Sequence, residues 1–308
     1  MFPAKKGPHL AVLLGCTFYG MTGLFLAHIH DMPITSIIFY RLFFGLLLIL
    51  LFVLVTGKVR ELKPGKRKFS LLMQGVFVVV NMFFYFICVK ETCVSIAILL
   101  EYTAPVYVML ASPFLLKEKI GKESIAALFV AISGVFLVIR PPGGFSELEL
   151  SGSHFIGIAS GLFAGMILAA IIMNVRALKS EYSEFSIAFW GTGISCLFML
   201  PFAFESPVPV IAENIPSLMS FGIASVGLGG ILTTIGFANL ESQTGSLLAL
   251  IEPVAGVFFD LAVLGIALST STLAGCFLVL AAAMIVSLKD ASKPEALQAD
   301  INENSGTC

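Results

Sequence analysis

The sequence predicts an all-α integral membrane protein with ten transmembrane helices, arranged as two inverted five-helix repeats. Hydrophobic residues make up 58% of its 308 residues and charged residues 12%, against about 25% charged residues in soluble domains. The mean hydropathy is +1.00. Apolar stretches of about 20 residues, long enough to cross roughly 30 Å of hydrocarbon as helices, follow one another along most of the chain. Water is therefore not the main solvent of this protein.

The predicted spans are helices because they are apolar throughout, whereas the strands of a membrane barrel alternate polar and apolar residues. The first span follows Lys5 and Lys6 but shows no small-residue cleavage pattern, so we expect it to be retained. The polar segment 291–308 is predicted to be a disordered cytoplasmic tail. Spans 1 to 10 are placed at 9–28, 34–56, 69–89, 94–116, 122–139, 154–174, 185–204, 217–238, 245–266 and 270–288.

The basic residues of the loops predict the orientation in the membrane. Lysine and arginine are concentrated before span 1, between spans 2 and 3, between spans 4 and 5, and after spans 6 and 10. The opposite set of loops holds only Lys90 and Arg140. Under the positive-inside rule both termini are cytoplasmic. We expect a multi-pass protein of the cell (plasma) membrane.

A Pro- and Gly-rich segment divides the spans into two groups of five. Residues 1–140 form the first predicted repeat, 141–153 an external linker, and 154–290 the second repeat. Because five is odd, the second repeat enters the membrane from the opposite side. One constant offset superposes His9, Phe18, Gly20 and Met21 on His154, Phe163, Gly165 and Met166. A second offset places Pro105-Val106 on Pro253-Val254.

Four short motifs resemble the EamA-domain family of the drug/metabolite transporter superfamily. They are Phe39-Tyr40-Arg41-Leu42, Leu100-Glu101-Tyr102-Thr103-Ala104-Pro105, Leu116-Lys117-Glu118 and Leu250-Ile251-Glu252-Pro253. The resemblance covers about residues 9–288 and implies two five-helix repeats that transport a small organic solute. It leaves the substrate open. The acidic residue that typically ends the fourth helix of each repeat is Glu118 in the first half, but Ile266 stands in its place in the second.

Two charged residues lie at similar depth in the first repeat. Arg41 in span 2 and Glu101 in span 4 are each about seven residues from the outer end of their span. An ionisable group in hydrocarbon is costly and usually faces a partner or a water-filled path. We predict that the two interact and line a substrate cavity. The alternatives are that they only lock spans 2 and 4 together, or that Arg41 reaches the outer head groups.

Span 9 places an acid beside a proline. Glu252 precedes Pro253, and Asp260 follows on roughly the same helix face. Pro253, like Pro105 in span 4, can act as a hinge because proline removes a backbone donor. Glu252, with Asp260, is the predicted proton-coupling site. A neutral buried glutamate bonded to a neighbouring helix and a coincidental interfacial aspartate are the alternatives.

Polar and aromatic side chains complete the predicted substrate site. Asn81 and Tyr85 share a face of span 3, and Tyr102 and Trp190 are further candidates. Packing and anchoring at the membrane interface are the competing roles for the aromatic residues. Less specific candidates are Tyr19, Tyr40 and the pair Thr233-Thr234.

The resulting prediction is a secondary transporter, an exporter of amino acids or related metabolites by resemblance, driven by the substrate gradient or by protons. Efflux of lipophilic cations or other toxic compounds, with Glu101 and Glu252 supplying negative charge, is the alternative. A receptor, a structural protein or an intramembrane enzyme is a remote alternative. No GxxxxGK[ST] motif for ATP, no catalytic motif and no metal-ligand spacing occur, so we expect no enzyme activity, no cofactor and no metal. The expected partners are a small-molecule substrate, protons and the bilayer, without nucleic acid, in a monomer or homodimer.

Overall fold

The computed structural model describes residues 7–63, 65–139, 152–265 and 269–305, without the side chains of residues 153, 260, 264 and 289–305. The described part is built from α-helices, with short 3₁₀ segments at Lys58–Leu62 and Leu200–Phe204 and a π-helical segment at Gly222–Gly229. The α-helices are α1 Gly7–Gly20, α2 Thr22–Leu26, α3 Ile34–Val55, α4 Lys68–Glu91, α5 Val94–Glu101, α6 Ala104–Leu115, α7 Lys122–Val138, α8 Gly152–Leu178, α9 Glu184–Met199, α10 Val208–Phe221, α11 Gly230–Asn239, α12 Ser242–Ala249, α13 Ile251–Leu264 and α14 Thr270–Ser305.

The predicted membrane helices are confirmed as a class. Within the described ranges, nine helical segments are long and apolar enough to cross a bilayer, and each overlaps one predicted span. The remaining predicted span corresponds to α7, whose 17 residues extend about 25 Å at 1.5 Å per residue. The count of ten therefore stays a prediction.

The largest difference in where a span begins is at span 8, which begins at Val208 rather than at 217. Glu213 and Asn214 interrupt the apolar pattern there, yet proline at 209 is compatible with the first turn of a helix. The last helix is bounded at Ser305. Since its side chains from residue 289 onward and residues 306–308 lie outside the described part, the disordered tail stays a prediction, as does the external linker over 141–153.

Three spans are interrupted near their middle. Span 1 breaks at Met21, between α1 and α2, and span 9 breaks at Leu250, between α12 and α13. Span 4 breaks between α5 and α6, and Pro105 is the second residue of α6. Proline lacks the N–H group that a first helical turn leaves free, so it is favoured at the start of a helix. Pro253 likewise lies in the first turn of α13. The two predicted hinge prolines thus both begin the helix that follows a break.

Span 1 packs against spans 8 and 9. A Cβ atom at Gly236 would meet Val12, and one at Gly15 would meet the carbonyl of Gly229. The later residue of span 8 thus lies against the earlier residue of α1. Spans 1 and 8 are therefore antiparallel, and spans 1 and 9 are parallel.

Span 6 packs against spans 3 and 4 in the corresponding way. Asn174, near the end of α8, donates a hydrogen bond to the carbonyl of Ser70 at the start of α4, at 2.9 Å. At the other end of both helices, a Cβ atom at Gly157 would meet Glu91. Span 6 is therefore antiparallel to span 3 and parallel to span 4.

The two sets of contacts match when each span is exchanged for the equivalent span of the other half, which is five positions away in the chain. Spans 1, 8 and 9 then correspond to spans 6, 3 and 4, and span 5 packs on its own equivalent, span 10. Span 3 has the direction of span 1, and span 6 is antiparallel to span 3. The matching sets thus run in opposite directions, in agreement with two inverted repeats.

The contact between spans 5 and 10 depends on two glycines. A Cβ atom at Gly134 would lie 2.8 Å from the carbonyl oxygen of Gly275, and one at Gly275 would lie 2.6 Å from that of Gly134. Ala127 and Ala282, fully buried, belong to the same core. Small residues on both helices allow the backbones to approach closely, as is common in membrane helix pairs.

Candidate functional site

The breaks in spans 4 and 9 position two acidic side chains. Glu101 is the last residue of α5, and Glu252 is the second residue of α13. Each break is approached by a glycine from the other half. A Cβ atom at Gly165 would lie 3.0 Å from the carbonyl oxygen of Glu101, and one at Gly20 would lie 2.8 Å from that of Glu252. Gly20 and Gly165 superpose in the sequence of the two halves, so equivalent glycines hold equivalent breaks.

A cluster of ionisable groups from five spans surrounds these breaks. Arg41 interacts electrostatically with two acids, Glu101 and Glu252, and with two phenols. We name this group the central polar cluster; its members are Tyr19, Arg41, Tyr85, Glu101, Tyr102 and Glu252. Both halves of the chain contribute to it.

The members of the central polar cluster that carry charge are not sealed in the packed core. Arg41, Glu101 and Glu252 are each partly exposed, although helices of both halves surround them. By contrast, Tyr102 is only 8% exposed. These charged side chains therefore keep some exposed surface at the depth of the helix breaks. Discontinuous helices near the middle of the membrane are a common way to build a solute site.

Each acid of the cluster has a neutral hydrogen-bonding neighbour. The Nδ2 group of Asn81 donates to Oε1 of Glu101 at 2.9 Å and to the carbonyl of Ala164 at 3.0 Å. Asn81 thereby connects span 3 to the acid of span 4 and to span 6. Tyr102 is the neutral polar side chain beside Glu252, to which its hydroxyl can donate. Glu101 is therefore held by an uncharged group of the protein.

Arg41 lacks such a partner. Its buried Nε atom has no hydrogen-bond acceptor among the described residues, and its Nη2 group is 4.0 Å from the sulfur of Met82. The guanidinium carbon lies 5.3 Å from the centre of the Phe221 ring. Glu101 lies within electrostatic range of Arg41, but no ion pair within 4.0 Å joins these two described side chains, so their interaction stays a prediction. Arg41 therefore presents hydrogen-bond donors that the described protein does not use.

The remaining predicted site residues lie in different places. Asn81, Tyr85 and Tyr102 are in or next to the central polar cluster. Trp190 donates to the carbonyl of Leu62 at 2.8 Å, at the end of the molecule where spans 2 and 3 are connected, so it is apart from the cluster. The side chain of Asp260 lies outside the described residues. The roles predicted for all five stay predictions.

A second polar network lies at the end of the molecule where span 4 ends. Oε2 of Glu118 accepts a hydrogen bond from the backbone N–H of Ser242 at 2.9 Å, and Oε1 lies 3.4 Å from Nε of Arg176. Arg176 also donates to the carbonyl of Ala238 at 2.8 Å. Burial raises the pKa of Glu118, and these contacts offset only part of that effect. Glu118 thus joins span 4 to spans 6, 8 and 9.

Several residues of these sites were not predicted. Met82 and Phe221 contact Arg41, but an apolar residue in an apolar span carries no signal of its neighbour. The partners of Glu118 come from the other half, and one sequence does not show which helix ends meet. The equivalence of Gly20 and Gly165 was visible in the sequence, and close backbone approach explains it. Among the described residues, no group of three or more His, Cys, Asp or Glu side chains is placed to hold a metal ion.

Comparison with known proteins gives one family. A family model described as the EamA-like transporter family matches residues 7–140 and 155–288. An uncharacterized transporter of Archaeoglobus fulgidus is 26% identical over 287 residues, which are 92% of this chain and 97% of that protein. The pseudopaline exporter CntI of Pseudomonas aeruginosa is 28% identical over 241 residues, 78% of this chain and 81% of the exporter. A solved crystal structure with 19% identity covers 94% of this chain and 99% of its own, with a TM-score of 0.80, so the two share a fold.

Proposed function

Because this chain belongs to the EamA-like transporter family, we propose that it exports amino acids or related small metabolites as a secondary transporter of the cell membrane, with both termini in the cytoplasm. The observation that carries the proposal is the central polar cluster. It brings one cationic and two acidic side chains, from both halves of the chain, to the helix breaks, where each is partly exposed. A site of this kind can bind both charges of a zwitterion.

The same observation weighs against lipophilic cations as substrates. Glu101 and Glu252 would attract a cation, but Arg41 interacts with both acids and would repel it. A solute with an anionic and a cationic group can instead place each group near an opposite charge. Electrostatic complementarity of this kind contributes mainly to specificity.

The proposed direction is export. One relative, 28% identical over 78% of this chain, is named an exporter, and this supports the same direction here. The basic loops support cytoplasmic termini through the positive-inside rule. No Walker-type nucleotide motif occurs in the chain, so the proposed energy source is the substrate gradient or a proton gradient.

Glu252 is the proposed proton-coupling residue. It lies in the first turn of α13, one residue before Pro253, and Tyr102 is a neutral polar neighbour. No cationic side chain of the described residues is within 4.0 Å of it. A carboxylate without a fixed counter-charge can exchange a proton for the cationic group of a substrate. The adjacent break at Leu250 provides a place for the helix to bend when that exchange occurs.

The test is transport by purified protein in liposomes, with a pH gradient imposed across the membrane. We expect the wild type to release amino acids faster with the gradient than without it. Glu252→Gln keeps the shape of the side chain but removes its titration. This variant should lose the response to the gradient while substrate exchange without a gradient remains measurable.

The matched control is Glu123→Gln, at an exposed glutamate in the first turn of α7, which should behave like the wild type. If none of the amino acids and related metabolites tested is transported, the proposed function is refuted. If Glu252→Gln keeps the full gradient response, the carboxylate has a structural role and the protein is a facilitator.

A further inference from the structure

Arg41 is the central residue of this inference. Its guanidinium can donate five hydrogen bonds, yet its buried Nε has no acceptor among the described residues, and its Nη2 group is 4.0 Å from the sulfur of Met82. A thioether is a weak acceptor, and 4.0 Å is long for any hydrogen bond. A buried guanidinium N–H group without an acceptor is costly, so its place in the fold needs a reason other than packing.

The acids nearby do not provide that reason. Oε1 of Glu101 is bound by Asn81 at 2.9 Å, and Asn81 is itself fixed on the carbonyl of Ala164. Glu252 lies beside Tyr102 on the other side of the cluster. Both acids attract Arg41, but neither forms an ion pair with it. Their field stabilises the cation while its donors remain available.

Phe221 packs against the side chain of Arg41, and Gly222 packs against its backbone. Phe221, which is 1% exposed, places its ring 5.3 Å from the guanidinium carbon, a distance at which a cation is attracted to an aromatic face. Behind it, a Cβ atom at Gly222 would lie only 2.6 Å from the carbonyl oxygen of Arg41. The π-helical segment that begins at Gly222 therefore packs directly against the backbone of α3 at Arg41. A guanidinium held in this way is preorganised for an anionic group.

We propose that Arg41 is the specificity-determining residue that binds the carboxylate of the transported solute, so that a solute lacking this carboxylate is rejected. The inference rests on the proposed function and names one requirement of the same site. The planar guanidinium matches a carboxylate with two parallel hydrogen bonds. A doubly charged phosphate fits less well, because Glu101 and Glu252 would repel its second charge. An amino-acid carboxylate is accompanied by an ammonium group, which these acids attract.

The experiment compares matched ligands that differ only in the carboxylate. Thermal unfolding of the detergent-purified protein is followed with neutral amino acids, with their amides and with the corresponding decarboxylated amines. We expect the amino acids to raise the melting temperature of the wild type, and the amides and amines to need at least about tenfold higher concentrations for the same shift. Arg41→Gln should abolish the difference between acid and amide. Arg41→Lys, which keeps the charge but not the planar pair of donors, should retain only part of it.

The control variant is Arg60→Gln, at an exposed arginine of the 3₁₀ segment after α3, which should keep the wild-type ratio. If Arg41→Gln does not fold, the ratio of acid to amide in the wild type and in Arg41→Lys decides. Equal shifts from acid and amide in the wild type, a preserved preference in Arg41→Gln, or no shift from any carboxylate would overturn the inference.

A liposome transport screen separates this failure from that of the proposed function. Transport of metabolites that have no carboxylate would leave the transporter in place and refute the role of Arg41. No transport of any compound would refute the proposed function, and the thermal shifts would then decide the role of Arg41 alone. Transport restricted to carboxylates, lost in Arg41→Gln and kept in Arg60→Gln, supports both.

Discussion

Glu118 offers the most quantitative test of the structure. Its side chain is 8% exposed, accepts a hydrogen bond from the first N–H of α12 at 2.9 Å and faces Arg176, which is 33% exposed, at 3.4 Å. Glu118→Ala removes an acceptor at a helix start, worth about 0.5–2 kcal/mol, and a partly exposed ion pair, worth about 0–1 kcal/mol. We expect it to destabilise the protein by about 0.5–3 kcal/mol. Glu118→Gln keeps one acceptor oxygen and should cost less than Glu118→Ala.

The pH dependence of the same site has a defined sign. Because burial raises the pKa of Glu118 in the folded protein, the folded state binds a proton more tightly than the unfolded chain does. The contribution of this residue to stability therefore increases as the pH falls through the folded-state pKa, and it levels off below the ordinary glutamate value. Glutamine does not titrate. The stability of the wild type relative to Glu118→Gln should thus rise as the pH is lowered from neutral pH towards the ordinary glutamate value.

The assay is the melting temperature of detergent-purified wild type, Glu118→Gln and Glu118→Ala across that pH range. The difference between wild type and Glu118→Gln isolates this residue from the other carboxylates. A difference that moves against the wild type on acidification would mean that attraction to Arg176 outweighs burial, and the reasoning would be refuted. Equal melting temperatures for the alanine and glutamine variants would show that the bond to Ser242 does not contribute.

Three further predictions concern packing, topology and the site. Gly134→Ala should destabilise the protein by about 1–3 kcal/mol, because its Cβ would lie 2.8 Å from a backbone oxygen of α14. Gly193→Ala is the control and should change the melting temperature little, since its Cβ would lie 3.7 Å from a leucine methyl group. Equal effects of the two substitutions would contradict the packing of spans 5 and 10. A single cysteine at Gly144 should react with an impermeant reagent from outside, and labelling only from the cytoplasm would reverse the topology. Arg41→Ala and Glu101→Gln should show a coupling free energy of about 0.5 kcal/mol or more in a double-mutant cycle of stability. Strictly additive effects would show that the two side chains do not interact.

Much of the fold could be predicted from the sequence because the bilayer imposes simple requirements. A helix that crosses hydrocarbon must satisfy its own backbone and be apolar for about 20 residues, and both requirements are visible in a local window. Span 3 was predicted at 69–89 and is found at Lys68–Glu91. The start of span 8 was misplaced because Glu213 and Asn214 interrupt the apolar window, and Asn214 is buried by contacts with the loop at His30.

The candidate site was only partly predictable. A charge in an apolar span is conspicuous, so Arg41, Glu101 and Glu252 were recognised individually. Their arrangement was not, because it depends on which spans approach each other. The sequence favoured direct pairing of Arg41 with Glu101, whereas the structure places Asn81 on Glu101.

The sequence by itself determined that this chain is an α-helical membrane protein of two similar halves, since hydropathy and motif are local properties. Only the tertiary structure decided that the breaks of spans 4 and 9 meet Gly165 and Gly20, and that Glu118 closes one end of the molecule on Ser242. These contacts join residues far apart in the chain, and apolar helices of similar composition differ too little to indicate their neighbours. The physical reason is that burial in lipid selects helices, while close approach of particular backbones selects their arrangement.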